Sequence, residues 1–225
     1  MSSRREFRSF TGEYKKVPIS ALSSGVGPAA MSIAFNEARN VGVHTFIRVG
    51  STGAIQEHIA CGDLIISAAA VRLDGTSNWY VMPEYPAVAN YEVLLALIEA
   101  AETFGVKYHV GITATTDDFY AGQSRQTSMS CLPHAESLMA VLQKARVLNF
   151  EMETATLFTL ASLCGLRAGA VCAVFANRLR GEFKVGSGEA EAVKVANEAV
   201  KILSEWDREK RRKKKAWFHV SMMEK

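Results

Sequence analysis

The chain has 225 residues, 48% hydrophobic and 22% charged, with a formal net charge of +3. That length and balance suit one soluble globular domain with a sizeable core. Residues 207–215 hold a local charge of +5, leaving −2 on the remainder, so no general nucleic-acid-binding face is implied.

The first predicted strand covers residues 17–22. A glycine-rich turn, Ser24-Gly25-Val26-Gly27-Pro28, leads into a helix over 29–41 and is given a structural role. Strands over 45–49 and 63–71 come next, followed by a helix over 91–104 with Asn90 as its N-cap. A strand over 108–116, helices over 136–145 and 154–164, a strand over 168–176 and a helix over 189–206 complete the order. Gly42, Gly105 and Gly165 close three helical runs, where a left-handed C-cap is favoured. This alternation predicts an α/β fold: a single domain with a mixed central β-sheet flanked by helices. The domain is expected over 1–206, with 207–225 as a basic C-terminal tail. We read the basic run as the solvated end of the last helix, complementing its dipole; a nucleic-acid or membrane address is the alternative.

Cys61, Cys131, Cys164 and Cys172 show no CxxC spacing, and the five histidines form no HExxH pattern. No metal site is expected, and a reducing compartment fits. No window reaches the roughly 18 apolar residues of a membrane span, and the first residues hold no apolar leader. The expected localisation is cytoplasmic.

Active sites of such sheets gather beyond the strand ends, which directs attention to residues 23–27, 50–53, 74–78, 117–125 and 177–178. In Arg48-Val49-Gly50-Ser51-Thr52-Gly53, an arginine, glycines and hydroxyls can hold a phosphate. A tight turn with a surface arginine is the plainer alternative, but Arg48 lies in an apolar strand and needs an anionic partner if buried. Phe119 offers a stacking face, while Gln123 and Arg125 could pair with the edge of uracil; a polar surface loop is the alternative. Glu151, Met152 and Glu153 could clamp a ribose through carboxylate and thioether. An acidic first turn of a helix explains the same residues.

Five motifs in order carry a family resemblance. They are Arg48-Val49-Gly50-Ser51-Thr52-Gly53-Ala54-Ile55, the run 67–75, Asp118-Phe119-Tyr120-Ala121-Gly122-Gln123, the run 149–157, and Gly165-Leu166-Arg167-Ala168-Gly169. Over about residues 5–206 the chain resembles the uridine phosphorylases of the hexameric nucleoside phosphorylase family. The resemblance implies a nucleoside phosphorylase-like fold and reversible phosphorolysis of uridine to uracil and ribose 1-phosphate, a pentosyl transfer in pyrimidine salvage. Arg48, Gln123, Arg125 and Glu153 are then the catalytic set. Arg48 and Ser51 would bind phosphate, Thr52 would lie near phosphate and ribose, and Gly53 and Phe150 would line the base. Phe119, Gln123 and Arg125 match the uracil pocket, and Glu151, Met152 and Glu153 the ribose clamp. Phe175, Ala176 and Arg178 correspond to a strand end and loop closing over the base. Asn177 stands where related purine phosphorylases carry a base-protonating aspartate, so the Asn177-Arg178 pair indicates a pyrimidine enzyme.

Arg5 is similar to an arginine that reaches a neighbouring subunit's phosphate, which implies a dimer as the minimal active unit and a hexamer as the assembly. Inorganic phosphate would be co-substrate, with no organic cofactor, no nucleic acid and no membrane involved. An intersubunit potassium ion would use Glu6, the Val26 carbonyl and a serine at position 30, where this chain has Ala30. The family's first strand and its Gly-Asp-Pro-x-x-Arg loop have no counterpart here, removing an arginine–phosphate contact of about 1.5–3 kcal/mol. The alternatives are a purine nucleoside phosphorylase, a nucleosidase using water, or a non-catalytic nucleoside-binding relative.

Overall fold

The computed structural model describes residues 2–125 and 133–222. Its strands are β1 (Ser2–Arg4), β2 (Phe7–Tyr14), β3 (Val17–Leu22), β4 (Thr45–Ala54), β5 (Leu64–Leu73), β6 (Ala87–Val88), β7 (Tyr108–Thr116), β8 (Asn149–Glu151), β9 (Arg167–Asn177) and β10 (Glu182–Phe183). The helices are α1 (Pro28–Asn40), α2 (Tyr91–Phe104), α3 (Pro133–Lys144), α4 (Thr154–Leu163) and α5 (Glu189–Lys213). Cys131 and residues 223–225 of the expected tail lie outside the described residues.

The expected mixed sheet is present, in the order β10-β9-β4-β8-β7-β5-β6. β4 runs parallel to β9, and β7 runs parallel to both β5 and β8. β4 and β8 are antiparallel, and so are β5 and β9. The last pairing joins β5 back to β9, so β9, β4, β8, β7 and β5 close into a ring. Closure leaves those strands without open edges. One apolar cluster lies under α2 and α5, and a second forms around α1 and α4.

Local chemistry accounts for the helix ends. The side chain of Asn90 accepts from the amides of Glu92 and Val93, and Gly105 closes α2 at φ 61°, a conformation glycine adopts without steric cost. Helix α4 is buried all round from Thr154 to Ala161, as expected of a helix within the core rather than on the surface.

Two elements depart from expectation. Residues 17–22 form a strand, but outside the central sheet. They pair with β2 in a separate antiparallel sheet of order β1-β2-β3, most of whose side chains are exposed. The hairpin docks through Tyr14 and Lys15, which both bond to Glu198 on α5. The last helix also runs past residue 206 to Lys213, with Glu189 and Glu191 in its first turn and basic residues in its last, both favourable to its dipole. Beyond it Phe218 stacks on Trp206 with ring centroids 4.0 Å apart. The basic run thus continues the helix to Lys213, and Phe218 and Met222 beyond it pack into the core under α2 and α5.

Glu92, 2% exposed, ties this end together. Its carboxylate accepts from Lys210, from Arg167 and from the Phe218 amide, while Asp207 pairs with Arg167 and Lys210. Burial pushes the Glu92 carboxyl up, but Lys210, the Phe218 amide and Arg167 outweigh it and hold it below its ordinary value of 4.5. A carboxyl with a depressed folded pKa contributes stability above its unfolded value and loses it as pH falls through the folded one. Glu92→Gln should therefore melt roughly 6–12 °C lower at neutral pH, from about 3 kcal/mol at 2–4 °C each. Below the ordinary glutamate range the gap should narrow, which thermal melts across pH will check.

Candidate active site

A helix that starts in the protein interior must find acceptors for its first amides. For α4 the acceptor is Glu151, at the end of β8 and 3% exposed. Its Oε2 accepts from the amides of Glu153 (2.8 Å) and Thr154 (2.9 Å), and its Oε1 accepts from the Thr115 hydroxyl. Thr115 Oγ1 in turn accepts from the Ala155 amide at 2.9 Å. Glu151 thus does what the acidic-turn reading assigned to it. The bend at 152–153 then turns Glu153 toward Gly27, whose amide donates to Glu153 Oε1 at 2.6 Å.

Arg48 supplies the counter-charge. Its Nη2 bonds to Glu153 Oε2, its Nε lies 3.3 Å from Glu151 Oε2, and its Nη1 donates to Cys172 Sγ at 2.8 Å. Side chains two apart in a strand share a face, and the guanidinium folds back over Gly50. A Cβ on Gly50 would stand 2.5 Å from Nη1 and 2.7 Å from Cζ, so this seat exists only because position 50 has no side chain. Burial acts against the Arg48 charge, but the Glu151 and Glu153 carboxylates outweigh it and raise its pKa. Burial pushes the Cys172 thiol up to about 11, so it stays neutral at physiological pH.

A second cationic region lies around the loop that follows β7. Gln123, 3% exposed, donates from Nε2 to Thr116 Oγ1 at 3.2 Å. The Arg125 guanidinium lies 4.1 Å from the Phe119 ring centre, and that of Arg178 lies 5.5 Å from the Phe150 ring centre. Arg178 also bonds to the main-chain oxygens of Gln123 and Ser124. A Cβ on Gly53 would meet Arg178 Cδ at 3.4 Å and Arg125 Nη2 at 3.9 Å. Burial lowers Arg125, and burial together with the Arg125 charge lowers Arg178 to about 10. Among the described residues neither guanidinium pairs with a carboxylate, and Arg125 Nε is buried without a partner. Two neighbouring cations without a counter-ion favour an anionic ligand.

Strands β4 and β7 carry residues of both regions. Thr115 holds Glu151 and the next residue, Thr116, holds Gln123, while Arg48 and Gly53 share β4 and Gly53 pairs with Phe150. Met152 is half-buried at the bend, Ser51 is exposed on β4, and Ala176 pairs with Gly53. Thr52 is committed to the scaffold: its hydroxyl donates to the Phe150 carbonyl and accepts from Asn149 Nδ2, each at 2.6 Å.

Three expected residues stand apart. Phe175 packs with the α2–α5 cluster alongside Val171 and Ala173, at the irregularity where β9 gains a residue on β4. It therefore faces the helices rather than the base region. Arg5 is exposed in the turn between β1 and β2 at φ 55°, and no described hydrogen bond or ion pair joins it to Arg48. The Asn177 carboxamide points into main chain. Residues 74–78 also serve the scaffold, since Asp74 accepts from Thr156 of α4 at 3.0 Å. Sequence reading missed Cys172 and Thr115; neither carries a local signal, since both act across strands. A Cβ on Gly25 would lie 3.1 Å from Ala30 Cβ and 3.5 Å from Glu6 Cγ, so Glu6 and position 30 of the expected potassium set lie near one another. The alanine methyl offers no oxygen there, and the set does not fit the ion.

Residues 2–205 match the phosphorylase superfamily model. The chain is 60% identical to a uridine phosphorylase of Thermococcus kodakarensis over 219 residues, 97% of this chain and 79% of that protein. It is 42% identical to a uridine phosphorylase of Escherichia coli over 209 residues, covering 90% and 83%. A guanosine phosphorylase of Halorubrum lacusprofundi is 34% identical over 200 residues, covering 89% and 78%.

Gly50→Ala forces the guanidinium of Arg48 from its seat. Calorimetric titration with inorganic phosphate should show affinity reduced by about tenfold or more, equivalent to ~1.4 kcal/mol. Unchanged affinity would remove Arg48 from the anion site.

Proposed function

The chain belongs to the phosphorylase superfamily, and from that premise we propose that it catalyses reversible phosphorolysis of uridine to uracil and ribose 1-phosphate. The observation carrying this reading is that one strand, β4, carries Arg48 with its Glu153 partner and, at Gly53, meets the unneutralised guanidiniums of Arg178 and Arg125. One end suits an inorganic anion, the other a base that departs with negative charge, and the Glu153 carboxylate beside Arg48 suits the ribose hydroxyls.

Cleaving an N-glycosidic bond builds oxocarbenium character on the sugar. Phosphate takes the Arg48 guanidinium, with Ser51 beside it, and stands beneath the anomeric carbon. Binding of phosphate replaces Glu153 as the partner of Arg48, leaving that carboxylate to accept from the ribose hydroxyls while Met152 packs on the sugar. Glu151 keeps the Arg48 side chain and the start of α4 in place, and Thr52 fixes the strand beneath. Phe119 and Phe150 flank the base, and Gln123, Arg125 and Arg178 stabilise the charge gathering on uracil. The leaving electron pair ends on the base, and a phosphate oxygen forms the new bond to the anomeric carbon. No organic cofactor and no covalent enzyme intermediate are required. Arg5 would act in a partner subunit's site, making a homodimer the minimal unit within a hexamer, and the protein would work in the cytoplasm.

A uridine cleavage assay with and without phosphate tests this reading. Cleavage should depend on phosphate; a full rate without it would indicate a hydrolase, and uracil binding without turnover a non-catalytic relative. Arg125→Ala should lower kcat by roughly 10²–10³-fold while leaving phosphate affinity within about twofold. The opposite pattern would reverse the roles assigned to the two ends.

A further inference from the structure

We infer that Asn177 is a positioning residue for the base end of the site, and that its side chain does not choose between purine and pyrimidine. The inference rests on the phosphorolysis reading above. Asn177 is fully buried at the end of β9. Its Nδ2 donates to the carbonyls of Gln56 (3.0 Å) and Ile59 (2.7 Å), and its Oδ1 accepts from the amides of Leu179 (3.0 Å) and Arg180 (3.1 Å). A primary amide has two N–H donors and two acceptor lone pairs, so all four are filled by main chain. The partners also decide the orientation, since carbonyls face the nitrogen and amides face the oxygen. Nothing on this side chain is left to meet a base.

Asn177 instead fixes a turn. Residues 177–180 are tied to residues 56–59 through its carboxamide and through Arg180 Nη2, which donates to the Ile59 carbonyl at 2.8 Å. Between these ties stands Arg178, whose amide bonds to the Ala54 carbonyl at 2.9 Å. Its guanidinium reaches the main-chain oxygens of Gln123 and Ser124 and lies over Phe150. Asn177 therefore reaches the base region only through Arg178. An aspartate here would set a carboxylate oxygen against two carbonyl oxygens, where only a donor fits. It could be accommodated by taking up a proton, and that proton would be given to a main-chain carbonyl and not to a purine.

Asn177→Asp and Asn177→Ala should be assayed with phosphate on uridine, inosine and guanosine from about pH 5 to 9, spanning ordinary and burial-raised carboxyl pKa values. Neither variant should cleave purine nucleosides above the wild-type level. Both should raise the uridine KM by about tenfold, while phosphate affinity stays within about twofold. Activity of Asn177→Asp should recover on acidification, and that of Asn177→Ala should not. In an Arg178→Ala background, Asn177→Ala should change the uridine KM by less than about twofold, since residues acting through one another do not add. Should the Asn177 variants fail to fold, Arg180→Ala, which loosens the same turn from an exposed position, should show the same KM signature at smaller size. Purine cleavage gained by Asn177→Asp, additivity with Arg178→Ala, or a wild-type KM in Arg180→Ala would overturn the inference. If wild type cleaves no uridine, the proposed function fails and the same comparison is made on calorimetric binding of uracil. A wild type that neither cleaves uridine nor binds uracil overturns both.

Discussion

A single guanidinium organises this molecule. Arg48 lies in the interior over a glycine, against a neutral thiol and between two carboxylates. An isolated charge at such depth is strongly unfavourable, so each neighbour exists in relation to the others. Glu151 can cap α4 because its carboxylate is charge-compensated, and Glu153 can sit buried because Arg48 faces it. Removing one member leaves the rest as uncompensated charge, a larger loss than the pair itself is worth. In the proposed function, an incoming anion therefore competes with Glu153 for the same cation.

The remaining architecture serves that arrangement. Closing five strands into a ring sets β4 between β8 and β9, which puts Arg48 within reach of both carboxylates and of Cys172. Burying α4 on every side creates the need for an internal cap, and the same carboxylate meets that need and steadies the arginine. At the base end the logic is opposite. Arg125 and Arg178 lie close enough to lower the Arg178 pKa, and no carboxylate among the described residues relieves them. One end carries a cation with its own counter-ion, and the other carries two cations without one among the described residues.

Much of this was legible from residue order. The spacing of β-branched and helical runs gave α2 and β7 their observed bounds, and Asn90 and Gly105 mark helix ends by chemistry that needs no tertiary partner. Arg48 within an apolar run followed by glycine two residues on carries its own signal, because alternation places both on one face. Less legible were features decided across the fold. Residues 17–22 read as a strand whichever sheet they join, so local pattern could not place β3 outside the ring. The carboxylates of Glu151 and Glu153 look equivalent in sequence, and only the buried start of α4 separates the cap from the carboxylate facing Gly27. Phe175 and Asn177 sit at a strand end where a one-residue irregularity redirects side chains, and family position alone assigned them to the base. The basic run reads as the end of the last helix, but its packing was not legible, because Lys210 finds Glu92 only once α2 and α5 pack together.

The central claim is that Arg48 is the anion ligand and Glu153 its resting partner. Calorimetric titration of inorganic phosphate into Glu153→Gln, beside a uridine cleavage assay, tests it most directly. With the competing charge removed, phosphate should bind about tenfold tighter, ~1.4 kcal/mol, while cleavage falls by roughly 10²-fold or more for want of the ribose carboxylate. Phosphate affinity equal to or weaker than that of the wild type, or cleavage retained, would contradict the account.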